Sequence, residues 1–126
     1  MNATLRRLIA IIIAIAAVTV VTAQGGSTKH PLNEGAALNL LLETLKRDHV
    51  YDKRISLDCV TFSTDETTRI YFEFSLHENH TAKCGGDADT SPVVDRYRVN
   101  RGSGKIELYD AADAQWRPYN SKRVNR

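Results

Sequence analysis

The chain is 126 residues long, 42% hydrophobic and 25% charged, with 17 Lys and Arg against 15 Asp and Glu. Such a length supports one domain whose core is large enough to fold but not generous. The near balance of charge lacks the electrostatic footprint of a nucleic-acid binder, and two cysteines allow a single disulfide.

The first residues carry an export pattern. Arg6 and Arg7 make a positive n-region, and LIAIIIAIAAVTVV (residues 8–21) is an uninterrupted apolar run. A comfortable bilayer span needs about 20 residues, more than this run supplies. Val21, Thr22 and Ala23 place small or modest residues where a signal peptidase reads, and the polar QGGSTKHP follows. Residues 1–23 are therefore expected to be a signal peptide, with an uncleaved anchor as the alternative, and residues 24–32 a flexible segment. The strongly apolar run favours the general secretory route over twin-arginine export, and no cysteine follows it to take a lipid. The pattern is bacterial in style. The expected destination is the periplasm or the extracellular space, with no stable membrane insertion after cleavage. Losing Arg6 and Arg7 leaves 15 Lys and Arg against 15 Asp and Glu, so the processed chain is neutral.

Residues 33–119 read as a single α+β domain. In NEGAALNLLLETLKR (residues 33–47), Ala37, Leu38, Leu41, Leu42 and Leu45 recur at spacings of three and four and form one apolar stripe. Asn33 suits the N-cap and Glu34 the first turn, while Lys46 and Arg47 suit the C-terminal end of the helix dipole. Everything beyond reads as strands. RISLDCVTF (residues 54–62) is followed by a polar turn, STDETT, and then RIYFEFSLH (residues 69–77) alternates, with Ile70, Phe72, Phe74 and Leu76 on one face. Tyr71, Glu73, Ser75 and His77 take the other. A second hairpin comprises VVDRYRVN (residues 93–100), the turn RGSGK, and KIELYD (residues 105–110). The expected fold is one N-terminal amphipathic helix packed on an antiparallel meander of about four strands, each element burying its single apolar face against the other. That order resembles the cystatin-like arrangement, in which a curled sheet wraps a helix. Residues 120–126 read as a basic tail; with Arg117 it holds Lys122, Arg123 and Arg126, expected to be solvated.

Cys59 and Cys84 are expected to pair in an oxidising compartment, closing a loop of about 25 residues at a gain of roughly 3–4 kcal/mol. A parity break in the first strand implies either a bulge near residues 58–60 or a Cys59 that points away from the helix. Between the hairpins lies HENHTAKCGGDADTSP, whose residue types invite catalytic readings. His77, His80 and Cys84 have a spacing open to zinc, but a disulfide would remove the thiolate such a site needs. Asp87, Asp89 and Ser91 resemble the start of a calcium loop, yet Pro92 stands where glycine is required. Asp87 and Asp89 could act as paired carboxylates, although loop aspartates more often cap turns. Gly85 and Gly86 can adopt φ values other residues resist, and Ser91 before Pro92 is biased toward extended backbone. Asn79, His80 and Thr81 match an N-glycosylation pattern by chance in a bacterial chain. On the third strand Arg96 and Arg98, with Arg101 beyond, face Glu73 and Glu107 for cross-strand pairing or a ligand patch. Trp116 and Tyr119 read as a lid on the core.

The block CGGDADTSP with the following VVDRYRVNRGSGKIELYD resembles a group of small exported bacterial proteins in which C-G-G-D-x-x-T-S-P precedes two strands. The resemblance covers about a quarter of the chain. It implies a shared disulfide-pinned loop and brings no activity with it.

Together these readings lead to the expectation of a non-enzymatic exported binding protein, of inhibitor or immunity type, acting on a secreted enzyme through residues 78–92. The expected binding residues are His80, Asp87, Asp89, Thr90, Arg96 and Arg98, with no catalytic residue, cofactor or metal and with a protein partner in the envelope. The alternatives are a small hydrolase or metal protein using His77, His80, Asp87 and Asp89, and a structural envelope component using the basic tail.

Overall fold

The structure, a computed structural model, describes residues 30–124. The signal-peptide reading falls outside this range. Helix α1 (Glu34–Arg47) starts where its cap requires, with the Asn33 side chain accepting the Ala36 N–H at 2.8 Å. The helix thus begins well inside the chain and not at its N terminus. A 3₁₀ turn (Leu57–Cys59) leads into a five-stranded antiparallel sheet of β1 (Val60–Thr67), β2 (Tyr71–Glu78), β3 (Val93–Asn100), β4 (Ile106–Asp110) and β5 (Gln115–Pro118), in that spatial order. A short helix α2 (Ser121–Val124) follows.

The stripe on α1 meets the inner face of β2 and β3. Ala37, Leu41 and Leu45 are fully buried with Phe74, Leu76, Tyr97 and Val99 in one core cluster that also takes in Phe72. Two members come from the irregular segment after the helix, Val50 and Tyr51, and one from the tail, Val124 at 4% exposure. Lys122 and Arg123 stay exposed beside it.

Four expectations are corrected. The meander has five strands, not four, because β5 pairs with β4 through Tyr109 opposite Trp116. The first strand is shifted: residues 57–59 turn, and the polar stretch expected as a turn continues the strand to Thr67, with a bulge at Asp65. As an edge strand β1 has one hydrogen-bonded neighbour, so polar Thr, Asp and Glu side chains cost it little and guard the free edge. The parity break at Cys59 is therefore a 3₁₀ turn and not a bulge. The reversal falls on residues 68–70, where the Thr68 hydroxyl accepts the N–H groups of Ile70 and Tyr71. Ile70, expected inside, is 64% exposed as a result.

The outer face of β2 is covered as well. Glu73 is 9% exposed and Ser75 1%. Arg98 lies over Glu73, donating from Nε at 3.1 Å and from a terminal nitrogen at 3.0 Å, and its guanidinium carbon sits 4.1 Å from both the Tyr71 and Trp116 ring centres. Ser75 donates to Asp65, the bulged residue of β1. Trp116 thus caps the outer ladder, while Tyr119 serves as the lid, packing on Tyr97 and donating to Asp48 at 3.0 Å. Arg101 clamps two segments, donating to the Thr68 carbonyl at 2.7 Å and the Leu32 carbonyl at 3.3 Å over the Phe72 ring.

Truncating the fully buried Leu41 to Ala is expected to cost about 2–5 kcal/mol by chemical denaturation, through lost transfer energy and a residual cavity. Ile70→Ala, in the exposed turn, is expected to change stability by less than about 0.5 kcal/mol.

Candidate functional site

The segment between β2 and β3 is held from three sides. At its entry the Asn79 N–H donates to the Cys59 carbonyl at 2.8 Å, and midway along it Cys84 is joined to Cys59 by a disulfide with Cα atoms 5.5 Å apart. At its exit, Glu78 N–H meets the Pro92 carbonyl at 2.9 Å and the Ser91 hydroxyl donates to the Glu78 carbonyl at 2.8 Å. His80 ties the first half to the second. Its Nε2 lies 2.6 Å from a Glu78 carboxylate oxygen and its Nδ1 2.7 Å from the Asp87 carbonyl.

The Glu78 carboxylate and the Asp87 carbonyl are acceptors, with the Thr90 hydroxyl 3.1 Å from the same Nδ1, a setting that favours the protonated ring. The Glu78 hydrogen bond first and the Asp87 carbonyl second hold the His80 pKa above its ordinary value. The ring is 12% exposed and packs on Gly86. A Cβ on Gly86 would stand 2.5 Å from the ring, and Gly86 has φ +86°, so glycine is required there twice over. Asp87 caps the turn as expected, accepting the Asp89 N–H at 3.0 Å, and the Thr90 hydroxyl donates to the Asp87 carbonyl at 3.0 Å.

The structure therefore brings His80, Asp87, Asp89 and Thr90 into one bonded loop. It keeps Arg96 and Arg98 elsewhere, on the outer face of β3. Arg98 is engaged by Glu73 and two aromatic rings, and Arg96 lies 6.0 Å from the Tyr109 ring centre. Glu107, opposite Arg98 in register, is not its ion-pair partner; Glu73 is, at 3.0 Å, with Glu66 at 3.8 Å. His77 points its Nδ1 to the Ser91 carbonyl at 3.1 Å and its Nε2 to the Ser63 hydroxyl at 3.1 Å. With both histidines so occupied and Cys84 oxidised, no group of three or more His, Cys, Asp or Glu among the described residues is arranged to hold a metal. What the loop offers outward is residues 81–93, exposed throughout apart from Cys84. Lys83 reaches Asp58 only at 3.9 Å, a pair that solvent weakens.

No protein-family model matches the chain, and neither a curated protein nor a solved structure is detectably similar to it.

Replacing both cysteines by Ala is expected to cost about 2–5 kcal/mol in a denaturant titration. By NMR titration the His80 pKa is expected above 6.5 and lower in Glu78→Gln than in wild type. Because the folded value is raised, this tie is fully present below the unfolded pKa of about 6.5 and is lost as pH rises through the folded value. Hydrogen-exchange protection factors across residues 81–90, which correct for the intrinsic rise of exchange with pH, are accordingly expected to fall above that pH.

Proposed function

We propose that the chain is an exported, non-enzymatic binding protein that docks on a protein partner through residues 78–92. Export rests on the leading Arg6-Arg7 and apolar run together with the Cys59–Cys84 disulfide, which is compatible with an oxidising compartment, the periplasm or the medium. Among the described residues no helix is long and apolar enough to cross a membrane.

One observation carries the reading: a loop exposed to solvent is fixed by a disulfide at its centre and by the His80 ring bonded to Glu78 and Asp87. Ordering a mobile segment on binding costs about 0.5–1.5 kcal/mol for each immobilised rotamer-rich side chain, and a loop already ordered avoids much of that cost. Proteinaceous inhibitors use the same device, and the helix followed by a meander matches the order of the cystatin-like arrangement. An inhibitor or immunity-type role toward a secreted enzyme fits best. Within the loop, Asp89 and Lys83 supply the outward charge, while His80 and the backbone of Asp87 hold its shape. Arg96 and Arg98 belong to the outer ladder and contribute stability before contact.

Affinity capture from the periplasmic fraction tests this. A partner recovered by wild type is expected to be lost or strongly reduced with Asp87→Ala/Asp89→Ala, and reduced with the double cysteine variant. Equal recovery by all three would refute the loop's role.

A further inference from the structure

On the helix side of the sheet, an open cavity of about 620 Å³ lies where the segment after α1, the β4–β5 turn and α2 meet. Arg54, Asp95, Asp110, Asp113, Arg117 and Arg123 supply its charge. The volume falls within the range of about 300–1,000 Å³ typical of small-molecule sites.

These charges divide into a closely paired set and a loosely paired one. Arg117 is held by two carboxylates, its Nε 3.1 Å from Asp110 and a terminal nitrogen on Asp113. Asp95 is paired at one oxygen only. Its Oδ2 accepts the Tyr51 hydroxyl at 2.6 Å, which in turn accepts from Tyr97, whereas no described group bonds its Oδ1. No buried side-chain oxygen among the described residues lacks a partner, so this Oδ1 is not fully buried, and Asp95 lines the cavity. Arg54 touches Asp95 only at 3.7 Å and the Val124 carbonyl at 3.5 Å, with its side chain 45% exposed. Most of its five donors are free for a planar acceptor.

We propose that this cavity binds a small zwitterion, a free amino acid or short peptide, whose ammonium group bonds Asp95 Oδ1 and whose carboxylate bonds Arg54 and Arg123. Among the described residues, three arginines and three aspartates line it, equal in number. An ion of one sign gains little there, while a solute carrying both signs gains at each end. Burial pushes the Asp95 carboxyl above the ordinary range despite the Tyr51 hydrogen bond and Arg54, which marks a charge short of solvation that an ammonium would supply. The fork of an arginine matches the two oxygens of a carboxylate. This site is independent of residues 78–92 and would stand if the loop had no partner.

The test is an NMR titration of the exported protein with L-alanyl-L-alanine, following the amides of Asp95, Ala111 and Ala112. N-acetyl-L-alanine and L-alaninamide serve as the carboxylate-only and ammonium-only probes. Saturable shifts are expected with the dipeptide. Affinity is expected to be at least about tenfold weaker for either single-charge probe and for the dipeptide with Arg54→Gln or Asp95→Asn, the loss of one charge-assisted hydrogen bond. Absence of saturable shifts with the dipeptide, equal affinity for the single-charge probes, or wild-type affinity in Arg54→Gln overturns the proposal. Arg54 is nearly half exposed, so Arg54→Gln decides the matter even if Asp95→Asn fails to fold.

Discussion

Burial of Phe72, Phe74 and Leu76 of β2 against Ala37, Leu41 and Leu45 of α1 positions every other element of this fold. A helix stripe and a strand face can each leave water only by covering the other, and at about 25 cal/mol per Å² of apolar area that mutual cover is the main stabilising term available to so small a chain. Once α1 lies across β2 and β3, the segment after it must pass along the open end of the sheet, which brings Tyr51 beneath Tyr97 and Arg54 beside Asp95. The meander then adds its strands outward on both sides.

β2 is buried on its second face too, and that face is polar. Buried polar groups persist only with partners, because an unsatisfied donor or acceptor costs about 1–3 kcal/mol. Glu73 finds Arg98, Ser75 finds Asp65, and Tyr71 with Trp116 sandwiches the guanidinium from either side. The same rule governs the inner face, where the Tyr97 and Tyr51 hydroxyls pass their hydrogen bonds to Asp95. The two polar networks differ in one respect: the outer one closes on itself, whereas the inner one ends on a carboxylate whose second oxygen has no hydrogen-bond partner among the described residues. That difference separates a stabilising ladder from a candidate ligand site.

Much of the layout was legible in the sequence. α1 could be read to within a residue because its stripe has a clean helical period and Asn33 is a strong cap. β3 is legible at its full extent because Pro92 and the RGSG turn bracket it. The pattern misplaces β1 because the bulge at Asp65 breaks the period of two and the polar composition imitates a turn. β5, four residues long, carries too little pattern to stand out. Within residues 78–92, the roles of Gly85, Gly86 and Asp87 were readable from backbone chemistry. The role of His80 as an internal tie was not, since its acceptors lie two and seven residues away in a loop without period.

The sequence by itself determined the helix, the alternation of the strands, the pairing of Cys59 with Cys84, and an export pattern at the start of the chain. These are local signals or, for the cysteines, a matter of having two and only two. Tertiary structure alone decided which polar groups meet. Tyr51 lies 44 residues from Asp95 and 46 from Tyr97, and Arg54 meets the Val124 carbonyl across 70. Pairings of that range follow from how a helix settles on a sheet, and no periodicity in the chain encodes them.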